Sequence, residues 1–176
     1  MVTIEAPTSP ANASTCSSFF TVRVAAVTKT VSAATAGALG NGRGFRRNRV
    51  HVIPNGIDYQ RFGGDDVCPL SAYRDGRPTV LFVGRLDERK GFQHLIRAFA
   101  QVVTRVPQAR LLVVGGYDRD DKAKFVRFAH RHGLHGVRFI GYVPGDELPR
   151  YYRSADVFCA PSTGFESFGI VLLEAM

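Results

Sequence analysis

The sequence predicts a Rossmann-like α/β fold, a parallel sheet covered by helices on both faces. Three observations carry the prediction: short, wholly apolar runs, amphipathic stretches that alternate with them, and a Gly or Pro close behind each run. Strands buried on both faces read as continuous apolar runs, and the parallel order needs helical crossovers between them. A chain of 176 residues, 45% hydrophobic and 22% charged, suffices for one such core.

Residues 1–18 are rich in Ser, Thr and Ala with two prolines, the composition of a disordered terminus. Residues 22–31 then read as a β-run, 32–39 as a short Ala-rich helix, 40–48 as a Gly/Arg loop and 50–53 as a strand ending at the turn Pro54-Asn55-Gly56. A polar connector with glycines and prolines follows as far as Pro78. Beyond it the pattern is regular. Residues 79–83 form an apolar strand, and in the helix over 91–106 Phe92, Leu95, Ile96, Phe99 and Val103 recur on one face. The second unit is a strand over 110–114 and a helix over about 119–132. The third is a strand over 137–140, a Gly-Tyr-Val-Pro-Gly turn and a short helix over 146–154. The fourth is a strand over 156–160, a loop and a helix beginning near Phe168.

Open parallel sheets bind ligands beyond the carboxyl ends of their strands, which directs attention to the loops after Val83, Val114, Ile140 and Ala160. In the first, Gly84-Arg85 and Lys90-Gly91 place two cations beside a helix N-terminus, an arrangement suited to a diphosphate. A solvated charged turn is the plainer reading, and the loop alone leaves both open. In the last, Glu166 and Glu174 lie eight residues apart, about 80° of helical rotation, so both can face one side. The N–H groups of Phe168, Gly169 and Ile170 open the helix between them and suit an anion. One carboxylate can accept the hydroxyls of a ribose and the other those of a sugar; simple dipole complementation and a solvated helix residue are the alternatives.

The run Phe82-Val-Gly-Arg-Leu-Asp-Glu-Arg-Lys-Gly91, the run Tyr152-Arg-Ser-Ala-Asp-Val-Phe-Cys-Ala-Pro161 and the Glu166-x7-Glu174 stretch together resemble the group 1 (family 4) retaining glycosyltransferases of GT-B fold. The wording from Glu166 to Met176 looks like that of actinobacterial phosphatidylinositol mannosyltransferases, and Val52-Ile-Pro-Asn-Gly-Ile-Asp58 matches the family's crossing between domains. The resemblance implies that residues 79–176 are part of the C-terminal, nucleotide-sugar-binding domain. Residues 19–62 would be a remnant of the N-terminal domain with the crossover, and 63–78 a connector. It implies a donor site of Gly84, Arg85, Lys90, Val143, Glu166, Phe168, Gly169, Ile170 and Glu174. Arg85 and Lys90 would hold the diphosphate, Glu174 the ribose, Glu166 the transferred hexose, and 141–143 would lie near the base. The implied catalytic groups are Glu166, Arg85 and Lys90; the nucleoside-diphosphate sugar is a substrate, and neither cofactor nor metal is expected. Most of the family's acceptor-binding domain and the end of its donor domain have no counterpart in the chain, so it reads as truncated at both ends and inactive alone. A nucleotide-sugar binding module without activity is the alternative, and a basic nucleic-acid or membrane adaptor the more distant one.

A formal charge of +8 invites nucleic acid or an anionic surface as partner. The basic patch Arg43, Arg46, Arg47 and Arg49 has only Phe45 beside it, which argues against single-strand binding and leaves no nucleic-acid partner expected. Lys122, Lys124, Arg127 and Arg131 read as the charged outer face of a core-packing helix, with contact to an anionic membrane as the alternative. The acceptor is expected to be a lipid or a small polar metabolite. No apolar run approaches a membrane span and the first residues lack signal-peptide character, so a cytoplasmic place, peripheral at most to the inner membrane face, is expected. Cys16, Cys68 and Cys159 have neither disulfide nor zinc spacing, and Cys159 in its apolar run reads as a buried hydrophobe. His130, His132 and His135 sit at or beyond the basic end of a helix that begins with Asp118, Asp120 and Asp121, the charge order a helix dipole favours, rather than as a metal site.

Overall fold

Successive strand residues point to opposite faces of a sheet, so each wholly apolar run feeds two cores at once. A computed structural model describes residues 23–26, 56–163 and 169–176. Its strands are β1 (Arg23–Ala26), β2 (Thr79–Val83), β3 (Arg110–Val114), β4 (Val137–Gly141) and β5 (Val157–Ala160). All pair in parallel, in the order β1-β5-β2-β3-β4. The helices are α1 (Tyr59–Gly63), α2 (Phe92–Arg105), α3 (Arg119–Arg131), α4 (Leu148–Arg153) and α5 (Ile170–Ala175).

One core gathers Phe82, Leu111 and Val113 from the sheet with Phe92, Phe99 and Phe125 from α2 and α3. Its centre is aromatic: the Phe92 ring lies 5.1 Å from Phe82 and meets Phe125 edge-on at 4.8 Å, each such pair adding about 1 kcal/mol beyond burial. The other core takes the alternate residues Leu81, Leu112 and Val114 with Phe158 of β5, and closes them under Tyr152 of α4 and Ala175 of α5. Every residue of β3 is buried, as expected for the strand between β2 and β4. Cys159 packs at the margin of the first core, and burial pushes its thiol pKa up, which suits an inert hydrophobe.

Several boundaries move for identifiable reasons. The last helix starts at Ile170 rather than near Phe168, because Gly169 turns left-handed at φ 74° immediately before it. The helix expected over 146–154 is confined to Leu148–Arg153, with Pro149 in its first turn. Of the β-run expected over 22–31, the strand described is Arg23–Ala26, at the edge of the sheet beside β5; the helix, loop and strand expected over 32–53 lie outside the described residues. The segment 63–78 is fastened along its length. Arg153 donates to the carbonyls of Gly63 and Gly64, the Ser154 hydroxyl accepts from the Leu70 N–H at 2.8 Å, and Ser71–Tyr73 forms a 3-10 turn.

The amino end of the sheet is locked by side chains. Asp156 accepts from the Thr79 N–H at 2.7 Å, and its own N–H donates to the Thr79 carbonyl. Arg110, the first residue of β3, is 5% exposed. It donates to both carboxylate oxygens of Asp75 at 3.0 Å and to the Thr79 hydroxyl, and lies over the Tyr73 ring.

Candidate functional site

Strand order reverses around β2, with β3 on one side and β5 on the other, and crevices for ligands form at such switch points beyond the carboxyl ends. The chain leaves β2 there through the loop Gly84 to Gly91 and leaves β5 through Pro161 to Thr163, the described start of the second loop. The first begins with Gly84, whose N–H donates to the Val114 carbonyl at 2.9 Å, while Gly115 donates to the Gly141 carbonyl at 2.7 Å. A side chain on Gly115 would run into the Gly84 carbonyl, so the three loop starts stack backbone on backbone.

Asp87 organises the turn that follows. One of its oxygens caps the 3-10 turn Glu88–Lys90 by accepting the Lys90 N–H at 3.1 Å; the other pairs with Arg85 at 3.2 Å and Arg89 at 3.4 Å. Arg85 is 68% exposed and shares the Asp87 carboxylate with a second arginine, so its guanidinium retains donors for another anion. The Lys90 stem passes over Gly84.

Gly91, left-handed at φ 71°, ends this turn and caps α2. It also makes room for the second loop: a side chain at Gly91 would collide with the Pro161 carbonyl. Thr163 completes the joint, its N–H donating to the Arg89 carbonyl at 3.0 Å and its hydroxyl to that of Glu88 at 3.4 Å. The structure thus brings the loop of Gly84, Arg85 and Lys90 against Pro161 to Thr163, just ahead of Glu166 in the sequence. Glu166 and Phe168 themselves lie outside the described residues.

At the start of α5, Gly169 is buried and Ile170 exposed. Glu174, half-buried one turn later, accepts a hydrogen bond from the Tyr152 hydroxyl at 2.8 Å. Val143 needs a narrower reading. Its side chain is buried in the core with Tyr152 and Leu112, because the turn after β4 folds back over the sheet, so only its backbone remains for a ligand. Its neighbour Tyr142 is 81% exposed.

Sequence reasoning missed Asp87, Thr163 and Tyr152. Asp87 as an N-cap residue ahead of the turn is a signal that was legible; the other two act across 75 and 22 residues and left no local pattern.

A basic groove of about 530 Å³ runs between α2 and α3 and reaches the first loop at Glu88, its acid, with Arg97, Lys124, Arg127 and Arg131 on its walls. Phe125 of α3 is buried, so this helix packs on the core as expected and turns its charges outward. The His132 ring stacks on Phe128 at 4.2 Å. Among the described residues, no helix is long and apolar enough to cross a membrane.

A family model described as glycosyl transferases group 1 matches residues 71–176. The chain is 46% identical over 125 residues to the phosphatidyl-myo-inositol mannosyltransferase of Mycobacterium tuberculosis, a match that covers 70% of this chain and 32% of that protein. It is 37% identical over 144 residues to the mannosylfructose-phosphate synthase of Agrobacterium fabrum, covering 76% of this chain and 32% of that one. The crystal structure of Anabaena HepE in complex with UDP and glucose is similar with a TM-score of 0.59 and 27% identity, over 75% of this chain and 37% of HepE. The C-terminal domain of a group 1 glycosyl transferase, LpcC of Francisella tularensis, shares the fold with a TM-score of 0.52 and 24% identity, over 69% of this chain and 61% of that one. The chain spans about a third of the length of the curated relatives it matches. With its parallel sheet matching the C-terminal domain of GT-B enzymes, this chain belongs to the group 1 glycosyltransferases.

Proposed function

We propose that this region binds a nucleoside-diphosphate sugar beyond the carboxyl ends of β2 and β5 and serves transfer of its hexose to an acceptor hydroxyl with retention at the anomeric carbon. The observation that carries the reading is the joint between Thr163, Pro161 and the Glu88–Lys90 turn, which unites the two switch-point loops beside Arg85 and Lys90. Arg85 and Lys90 hold the diphosphate and Glu174 the ribose. Glu166, with the backbone of Phe168, Gly169 and Ile170, contacts the sugar, and the backbone around Val143 lies near the base. As the glycosidic bond breaks, negative charge grows on the leaving diphosphate, and cations fixed beside it lower the barrier more than cations recruited from solvent. Asp87 keeps Arg85 oriented until a phosphate competes for it.

The complex of HepE with UDP and glucose supports this class of donor. The names of the mannosyltransferase and synthase relatives support a lipid or small polar acceptor. The basic groove between α2 and α3 supports peripheral contact with an anionic membrane.

The test has two parts. Titration calorimetry of the chain with UDP, GDP and ADP should find binding by at least one; a folded chain that binds none overturns the reading. In a chain extended to the length of its relatives, Glu174→Gln should mostly weaken nucleotide binding and Glu166→Gln mostly lower turnover. The same kinetic pattern from both would refute the division of roles.

A further inference from the structure

We infer that Tyr152 is a positioning residue of the donor site, its hydroxyl fixing the Glu174 carboxylate in the orientation that receives the ribose. The inference rests on the reading of Glu174 given above.

Three facts make Tyr152 more than a core residue. Its ring is held on two sides, edge-on to Phe158 at 5.4 Å and to Phe62 of α1 at 5.9 Å, and the residue is only 4% exposed. The hydroxyl therefore has a fixed address. Its acceptor is a charged group, Glu174 Oε2 at 2.8 Å, with the Val171 carbonyl a longer second choice at 3.4 Å. Hydrogen bonds to charged acceptors are the stronger kind. Desolvation, and then the Glu174 charge, raise the phenol's pKa far above its ordinary value, so the group remains a donor at any working pH.

The geometry gives this bond a task. Glu174 stands near the end of a helix of six residues, and a glutamate so placed has three side-chain torsions free. A ribose hydroxyl binding to a free carboxylate must first freeze those torsions, whereas a carboxylate already pinned through one oxygen has given up that freedom. The pin leaves room for the ligand, because an ionised carboxylate has about four acceptor positions and Tyr152 uses one. Such support behind a contacting residue is how binding sites hold their geometry.

Tyr152→Phe removes the hydroxyl and leaves the ring. Calorimetry on the 176-residue chain would compare the best-binding nucleoside diphosphate among UDP, GDP and ADP with its 2′,3′-dideoxy counterpart, for wild type, Tyr152→Phe and Glu174→Gln. The ribo-over-dideoxy preference should be large in wild type and lost in Glu174→Gln. In Tyr152→Phe it should fall about tenfold, the scale of a charge-assisted hydrogen bond, with dideoxy affinity unchanged. An undiminished preference in Tyr152→Phe overturns the inference while the Glu174 reading stands. An equal loss of both affinities also overturns it, since that is what a merely structural role would produce. No preference in wild type refutes the Glu174 reading and this inference with it.

Discussion

Arg110 opens β3 at the amino end of the sheet and Arg85 follows β2 at the carboxyl end, and each faces an aspartate. Arg110 is sequestered, with both Asp75 oxygens, the Thr79 hydroxyl and the Tyr73 ring around it, and only its buried Nε lacks a protein partner among the described residues. Arg85 is in water and shares one oxygen of Asp87 with Arg89. The same two residue types serve as a clasp where burial and several partners fix them, and leave an exposed, loosely paired cation, the one proposed for the diphosphate, where they do not. An exposed pair contributes little to stability, whereas stripping one partner from a buried pair is costly.

The sharpest way to break this comparison is to remove one aspartate. Asp75→Ala leaves the Arg110 guanidinium buried without its carboxylate and should lower stability by about 3 kcal/mol in denaturant unfolding. Nucleoside-diphosphate affinity of the folded fraction should not change. A loss below about 1 kcal/mol, the range of surface pairs, would mean that the clasp is no tighter than the Arg85 pair.

Arg85→Ala should do the reverse. Diphosphate binding should weaken by about 1.5–3 kcal/mol, the range for a hydrogen bond to a charged group, while the unfolding midpoint stays within about 0.5 kcal/mol of wild type. Equal affinity by calorimetry for wild type and variant would remove Arg85 from the site.

Between the two extremes stands Gly91, which touches both the packing of the loops and the proposed donor site. Gly91→Ala forces a side chain into a left-handed backbone, at about 1–2 kcal/mol, and drives it at the Pro161 carbonyl. The relief is for the Pro161 to Thr163 segment to lift from the turn, so stability and nucleotide affinity should fall together. A variant that loses stability yet binds as well as wild type would show that the joint is not part of the donor site.

How much of this was readable beforehand divides along the same line. The sheet, its four regular βα units and the loops that matter were legible because burial on both faces forces continuous apolar runs, and the ligand end of a parallel sheet follows from its topology. Arg85 and Lys90 were legible as charges in the first of those loops and Glu174 as a charge on the helix after the last. Arg110 was hidden inside an apparently apolar run, because its satisfaction depends on Asp75, 35 residues earlier in the chain. Thr163 and Tyr152 were hidden for the same reason, as contacts between βα units leave no periodicity. Val143 was misleading in detail, since its place in a ligand-facing turn did not say which way its side chain would point.

The smallest expected effect is the pH dependence of the clasp. The hydrogen bonds from Arg110 hold the Asp75 carboxyl below its ordinary value of 3.8, against a smaller opposing push from desolvation. A carboxyl whose pKa is depressed by folding contributes stability that is fully present above the unfolded value and is lost as pH falls through the folded one. Unfolding midpoints taken from pH 6 down to pH 3 should therefore fall more for wild type than for Asp75→Asn, which has no proton to bind. The excess should be modest, because the Asp75 side chain is 43% exposed, and it should shrink further in high salt as the exposed carboxylate is screened. Parallel acid profiles for the two proteins at low salt would show that the Asp75 charge adds nothing to the clasp. Its strength would then lie in what both proteins keep, one guanidinium hydrogen bond to the side-chain oxygen at position 75, the bond to the Thr79 hydroxyl and the contact with the Tyr73 ring.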